Sequence, residues 1–335
     1  PSMIESSSLT FLIIVIIIAL AFEFANGFND AANAIATVVS TRVMSPLSAV
    51  IMAAVFNFVG AITGTAVAKA VAKGVVDPDG ITQVVVAGGV AAAALWVFVA
   101  SRFGMPVSGS HSLIAGVAGS GVAHSGIDVL QGAGLTRILE GLVLSPILGF
   151  LLAYLVMLII YWSLRRMSPA KITLIFSKAQ MFTAGWMAFS HGSNDAQKTM
   201  GIITLALFTY GSIEVLDVPL WVIIVSGLVM GAGTYFGGFK VIRTLGVRIV
   251  TMRPIHGFAA EGAAAGVITM ASRLGIPIST THTITSSILG MGSTRRLSAV
   301  RWGVARSIVY AWILTFPICA LLGAALYHLI NLVAI

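Results

Sequence analysis

The sequence predicts an all-α polytopic membrane protein built from two inverted-topology repeats with broken or re-entrant helices. Three observations predict it. Hydrophobic residues make up 58% of the 335 positions and charged residues only 9%, against about 25% charged in soluble domains. Several apolar runs approach the ~20 residues that cross a bilayer as helix. The chain also repeats itself: Gly27-Phe28-Asn29-Asp30 pairs with Gly192-Ser193-Asn194-Asp195 at an offset of 165, and Ser101–Ser112 with Ser272–Thr283 at an offset of 171. Lys69 and Lys240, and Pro146 and Pro317, share the second offset, so six extra residues fall around Tyr210 to Pro219.

Taken in order, the first half holds segments over 9–41, 47–70, 81–101, 105–121 and 138–162, and the second over 172–209, 219–240, 254–271, 276–292 and 302–330. The opening run, Leu9 to Phe22, has no basic leader and has a later counterpart, so it reads as a retained span and not a cleaved signal. Polar side chains interrupt the first segment at Asn29-Asp30 and its counterpart at Asn194-Asp195, and each helix is expected to break there with unwound carbonyls nearby. The fourth segment of each half opens at a proline, Pro106 or Pro277, followed by hydroxyls. Proline suits a first helical turn, so a half-helix is expected to start near Ser108 and near Ser279. The 35 glycines let helices approach closely in lipid. The repeats are therefore 1–164 and 172–335, joined over 165–178 by a short linker that runs into the next span.

Positive charge orients the bundle. The linker carries Arg165, Arg166, Lys171 and Lys178 and so belongs in the cytoplasm. Counting five crossings onward puts Lys240–Arg253 and Arg295–Arg306 on the same side. Their first-half counterparts fall outside, one with Lys69 and Lys73 balanced by Asp77 and Asp79, the other with Arg137 alone; both termini join them. An odd number of crossings per half inverts one repeat relative to the other, as in many secondary transporters. The net charge of +8 thus reports orientation, not nucleic-acid binding. Cys319 is the single cysteine, which excludes an intrachain disulfide. No phosphate-binding Gly-x-x-x-x-Gly-Lys loop indicates ATP use, and no His/Cys cluster has metal-ligand spacing.

An ionised aspartate at the centre of a span costs about 2.5–3.5 kcal/mol on insertion scales, so an intramembrane acid is a functional candidate. Asp30 and Asp195 occur in matching contexts. With Asn29 and Asn194 they offer hard oxygen ligands suited to Na+ or H+ coupling. Asn33, one turn after Asp30, either completes such a set or bonds between helices, and the same choice holds for Gln197. A helix N-terminus with hydroxyls is a ready anion site. Ser108-Gly109-Ser110 and Ser279-Thr280-Thr281, related by the pseudo-two-fold, can hold a small tetrahedral oxyanion between them; the alternative is plain helix capping. Carboxylates repel an anion, and a bound cation reconciles the two, making anion affinity depend on cation occupancy. That is a physical basis for symport. Lys198, three residues after Asp195, either pairs with it or faces the anion. Glu261, whose counterpart is apolar Val90, suits coupling, gating or a further cation site; Glu23 has a similar claim unless a loop base neutralises it. His111 and His282 raise a Ser–His hydrolase built on Ser110, but no nucleophile elbow is present and a single triad needs no twin. They read instead as hydrogen-bonded polar residues of the broken segments.

At these residues the chain resembles the inorganic phosphate transporter (PiT) family of cation-coupled phosphate symporters. Four elements carry the resemblance in order over nearly the whole chain: Gly27-Phe28-Asn29-Asp30-Ala31-Ala32-Asn33-Ala34, Gly192-Ser193-Asn194-Asp195-Ala196-Gln197, and two Pro-x-Ser-x-x-His-Ser/Thr motifs. The resemblance implies a secondary transporter and not an enzyme, importing inorganic phosphate with Na+ as coupling ion and no cofactor. It implies a multi-pass protein of a prokaryotic plasma membrane, since the short linker matches prokaryotic members. Na+ is preferred over H+ because Asn/Asp oxygens suit a hard ion. Sodium falls to Asn29, Asp30, Asn33, Asn194 and Asp195, and phosphate to Ser108, Gly109, Ser110, Ser279, Thr280 and Thr281 with Gln197 beside them. Asn33 aligns with Lys198, so strict two-fold equivalence fails there. A carrier of sulfate or another oxyanion is the rival reading. A homodimer suits such a fold, although no stretch encodes one.

Overall fold

The computed structural model describes residues 8–333, and its regular elements are helical apart from one isolated bridge between Val76 and Leu130. The first half runs α1 (Leu9–Ser40), α2 (Pro46–Ala61), α3 (Ala66–Gly74), α4 (Gln83–Phe103), α5 (Gly109–Ser125) and α6 (Gly132–Leu164). The second repeats the order as α7 (Pro169–Tyr210), α8 (Leu220–Phe236), α9 (Phe239–Arg243, continued by a π turn over Thr244–Arg248), α10 (Pro254–Arg273), α11 (Thr280–Ser293) and α12 (Trp302–Val333). The linker shrinks to residues 165–168, because Pro169 starts α7 directly after Ser168. The extra residues of the second half lie where expected, in a longer α7 and the loop 211–219, against 41–45 in the first half.

α1 and α7 run unbroken through the Asn-Asp motifs, which corrects the breaks expected there. The reason lies in spacing. Glu23, Asn26, Asp30, Asn33 and Thr37 recur every three or four residues and so line one stripe of a continuous helix. α7 presents Gln180, Thr183, His191, Asp195 and Lys198 on one face, with apolar Met187 between Thr183 and His191, and the two helices pack together with all ten polar side chains buried. Hydrogen-bond partners come from across the interface, so the backbone need not unwind to supply them. Apolar clusters close the seam at both ends, one around Val85, Leu113 and Met200, the other around Ile35, Met187 and Ile288. The polar residues thus run from the middle of α1 to its last turn and across the middle of α7.

The segments expected to cross singly over 47–70 and 219–240 are each bent, by 70° between α2 and α3 and by 64° between α8 and the α9 segment. Thr63-Gly64-Thr65 separates the first pair. Gly237-Gly238 separates the second, with Gly237 at φ +36, a conformation that glycine adopts without a Cβ clash.

α4 and α5 form a hairpin, as do α10 and α11. The first turn passes through Gly104 at φ +69 and the second through Gly275 at φ +65, both left-handed positions that favour glycine. The open ends of the first hairpin are tied together, since Asp77 donates its N–H to the Val129 carbonyl at 2.8 Å and Gln131 to Val75 at 3.2 Å. Arg301 donates to Ile249 at 3.0 Å around the second. Each hairpin therefore enters and leaves on one face. The five segments counted in each half are all present, the second bent and the third and fourth forming the two arms of a hairpin. Among the described residues, four helices (α1, α4, α6 and α12) are long and apolar enough to span a membrane, and the two bent pairs pass the same test when each is taken together.

The halves exchange helices. α6 packs on α10 and α11, while α12 packs on α4 and α5; α2 lies on α7, and α8 on α1. Close backbone approach marks the symmetry. A Cβ placed on Gly60 would lie 2.0 Å from the Phe189 carbonyl oxygen, and one on Gly233 would lie 2.4 Å from that of Phe24, the residue 165 positions before Phe189. The outer face of α6 exposes Leu144, Leu148, Leu151, Leu155 and Ile159, an apolar surface suited to lipid tails.

Candidate functional site

The N-termini of α5 and α11 meet at the polar seam. Ser108 and Ser279 sit just before them in extended conformation, and their hydroxyls accept the N–H of His111 and His282, each at 3.2 Å. Ser112 and Thr283 donate their hydroxyls back to the Ser108 and Ser279 carbonyls at 2.8 and 2.7 Å. Capping therefore engages the Ser108 and Ser279 hydroxyl oxygens as acceptors, and each keeps its O–H as a donor. Ser110, Thr280 and Thr281 are engaged differently: their hydroxyls face the opposite tip or the long helices.

Asn29 and Asn194 grip the hairpin turns. Asn29 donates its amide to Ser101 Oγ at 2.7 Å and to the Met105 carbonyl at 3.3 Å; Asn194 donates to Ser272 Oγ at 3.0 Å and to the Ile276 carbonyl at 3.4 Å. The Ile278 N–H also reaches Asn194 Oδ1 at 3.4 Å, whereas Asn29 Oδ1 is buried without a partner. The unwound carbonyls expected beside the Asn-Asp motifs thus belong to the hairpin tips that those asparagines hold.

The carboxylates reach the same tips. Thr281 donates its hydroxyl to Asp30 Oδ1 at 2.9 Å and accepts from the Asn33 amide at 3.1 Å. Thr280 donates to Asp195 Oδ2 at 3.0 Å, and the Asn26 amide approaches the same oxygen at 3.5 Å. Lys198 does both things its position allowed. Its Nζ donates to Asp195 Oδ1 at 2.5 Å, and also to Ser110 Oγ at 2.5 Å and the Ile278 carbonyl at 2.6 Å between the tips. Ser110 in turn donates to the Ile278 carbonyl at 2.9 Å.

One residue of the site escaped the sequence reading. His191 Nε2 lies 3.5 Å from Asp30 Oδ2 and 3.4 Å from Asp195 Oδ2, so Asp30 has a nitrogen base beside it after all. A chain of hydrogen bonds sets the ring. Thr234 donates its hydroxyl to the Met230 carbonyl at 2.9 Å, so its oxygen accepts the Asn57 amide at 2.9 Å; Asn57 Oδ1 then accepts from His191 Nδ1 at 3.0 Å. Nε2 is left facing both carboxylates. The ligand atoms of Asp30, His191 and Asp195 lie within 4.8 Å of one another, close enough to share a cation. His191 is the counterpart of Asn26 at offset 165, and that pairing was the available signal.

Other candidates fall elsewhere. Gln197 turns away from the tips: its Oε1 accepts the N–H groups of Val67 and Ala68 at 2.8 and 3.4 Å, capping α3, and its amide donates to the Ser193 carbonyl at 2.7 Å. Glu261 receives the Thr37 hydroxyl, the Gln180 amide at 3.0 Å and the Thr183 hydroxyl at 2.6 Å, tying α10 to α1 and α7. Glu23 is buried and accepts the Thr199 hydroxyl. His111 and His282 lie 4.4 Å apart between ring centroids with their planes tilted by 32°, and His282 stacks on Trp312 at 3.8 Å. His111 Nδ1 and His282 Nε2 are buried without partners, so these histidines pack and are not fully hydrogen-bonded as expected. The Ser110 hydroxyl donates to a carbonyl and not to His111, which leaves no Ser–His pair for hydrolysis.

A model of the phosphate transporter family matches residues 26–175 and again 165–323, one match per repeat. A probable low-affinity inorganic phosphate transporter of Bacillus subtilis (strain 168) is 42% identical over 324 residues, covering 96% of this chain and 97% of the relative. One of the same description from Rhizobium meliloti (strain 1021) is 43% identical over 262 residues, 78% of each chain. Among solved structures, a sodium-dependent phosphate transporter superposes with a TM-score of 0.88 at 25% identity, covering 97% of this chain and 100% of that one.

Proposed function

This chain belongs to the phosphate transporter family, and from that membership and the geometry of the seam we propose that it imports inorganic phosphate across a prokaryotic plasma membrane by symport with Na+. The observation that supports the site is the tie between hairpin tips and carboxylates, Thr281 to Asp30 and Thr280 to Asp195. The first N–H groups of α5 and α11 have no intrahelical partner and carry the positive end of the helix dipole. Phosphate between these ends would meet N–H groups at Gly109, Ser110, Thr280 and Thr281, three hydroxyls, and the Lys198 ammonium. The neighbouring carboxylates oppose it. Na+ held by Asp30, with Asn33 and Thr281 nearby, cancels that repulsion, so phosphate binds well only when the cation is bound. In this reading the linker at 165–168 is cytoplasmic and both termini are external. Glu261 acts at a distance from phosphate, holding three helices whose relative movement opens the site.

Purified protein in liposomes, with equal pH on both sides and an inward Na+ gradient, should accumulate labelled phosphate and stop when the gradient is collapsed. Accumulation driven by a pH gradient alone would replace Na+ with H+ in the proposal. Excess sulfate should not compete; competition would widen the substrate to oxyanions in general.

A further inference from the structure

The two-fold that relates the repeats fails at one position inside the site. Where it would place a second Asn33, the chain has Lys198. Around Lys198 Nζ stand three oxygens, Asp195 Oδ1, Ser110 Oγ and the Ile278 carbonyl, at 2.5, 2.5 and 2.6 Å. Three acceptors engage all three hydrogens of an ammonium group, so the side chain is a fixed positive charge surrounded by oxygen, as a bound metal cation would be.

The same two-fold identifies the matching set in the other repeat. Asp30 corresponds to Asp195, Thr281 to Ser110 and Val107 to Ile278. Asn33 is too short to fill the place of the lysine. Its amide reaches Thr281 Oγ1 at 3.1 Å, and no hydrogen bond joins it to Asp30. Asp30 Oδ2 and Asn33 Oδ1 remain buried with no hydrogen-bond partner. One half therefore holds an oxygen set with its own cation attached, and the other holds two acceptors without a hydrogen bond, with His191 Nε2 standing 3.5 Å from Asp30 Oδ2. Buried acceptors of this kind are costly unless a donor or cation serves them.

We propose that the Lys198 ammonium is a tethered substitute for one of two coupling cations, leaving a single exchangeable Na+ site at Asp30, Asn33 and Thr281. This rests on the Na+ symport reading above. The ammonium attracts phosphate as Na+ would, yet it cannot leave with the substrate. It supports affinity and adds nothing to the driving force. The chain then carries one Na+ fewer per phosphate than it would with asparagine at both positions.

Two substitutions separate the consequences. Lys198→Asn restores the residue of the other repeat and leaves room for an ion; Lys198→Met fills the volume without charge. In liposomes, the ratio of labelled Na+ to labelled phosphate taken up should rise by one ion in Lys198→Asn relative to the parent. Lys198→Met removes the fixed charge and should raise the phosphate KM at least about tenfold at every Na+ concentration, the scale of one interaction with a charged group. A parental ratio in Lys198→Asn, or a parental KM in Lys198→Met, overturns the inference. If Lys198→Asn does not transport, Na+ titration of its melting temperature in detergent decides: a steeper rise than the parent's supports a second site, and an equal rise rejects it. A parent without Na+-driven uptake rejects the symport reading itself, and this inference with it. A Na+-driven parent whose ratio Lys198→Asn does not change rejects the inference alone.

Discussion

Asp30→Asn tests the cation site with little disturbance of the fold. The amide has the carboxylate's shape, and its oxygen can still accept the Thr281 hydroxyl that now lies 2.9 Å from Oδ1. Oδ2, the atom replaced by nitrogen, has no hydrogen-bond partner to lose. Its close charged neighbours are His191 Nε2 at 3.5 Å, longer than a hydrogen bond, and the Asp195 carboxylate within 4.8 Å. Stability should therefore shift by no more than about 1 kcal/mol, the scale of one ordinary hydrogen bond. Cation binding loses a charged ligand, and contacts to charged groups contribute about 1.5–3 kcal/mol. The Na+ concentration for half-maximal uptake should then rise roughly 10–150-fold. Labelled phosphate uptake against Na+ in liposomes reads the second quantity, and thermal unfolding in detergent the first. A folded Asp30→Asn protein with the parent's half-saturating Na+ and full uptake would refute the assignment of Asp30 to the coupling ion.

Three further outcomes follow from the geometry. Ser110→Ala combined with Thr281→Ala removes a hydroxyl from each hairpin tip and should raise the phosphate KM at least about tenfold; parental KM would move phosphate away from the tips. Glu261→Gln should lower the uptake rate while leaving the phosphate KM near the parent's, because Glu261 bonds Thr37, Gln180 and Thr183 and none of the tip residues; an equal change in KM would place it in the binding site. Gly60→Ala drives a methyl to 2.0 Å from a backbone oxygen and should destabilise by about 1–3 kcal/mol. Gly132→Ala, with nothing within 4 Å of the added methyl, should be neutral or stabilising by up to about 1 kcal/mol. Equal melting temperatures for these two variants would contradict the close helix contact at Gly60.

Local chemistry made the hairpin tips legible. Pro106 and Pro277 fix where a helix can begin, and Ser108 and Ser279 cap within three residues, so short-range sequence contains the whole motif. The repeat was legible for the same reason, since matched segments need no knowledge of contacts. The Asn-Asp motifs misled because polarity was taken for a break in the backbone. The 3-4-3-4 spacing of Glu23, Asn26, Asp30, Asn33 and Thr37 already described an intact helix with a polar face. Gly237-Gly238 likewise announced the bend that follows α8. His191 was of another kind. Its role depends on Asn57 and Thr234 setting the ring and on Asp30 arriving from the other repeat, contacts between residues as many as 177 positions apart. Gln197 depended on the α2–α3 bend, which brings the start of α3 against α7.

The exchange of long helices has its own consequence. α12 supports the α5 hairpin and α6 the α11 hairpin, so neither stretch of about 160 residues could complete its own shell if made alone. Two identical copies could do so only by meeting head to tail, and a substitution in one would then appear at both sites. Joined in one polypeptide, the copies are free to differ: lysine can face asparagine, histidine can face asparagine, and glutamate can face valine. A paired machine with two equal sides has become one whose sides hold different jobs.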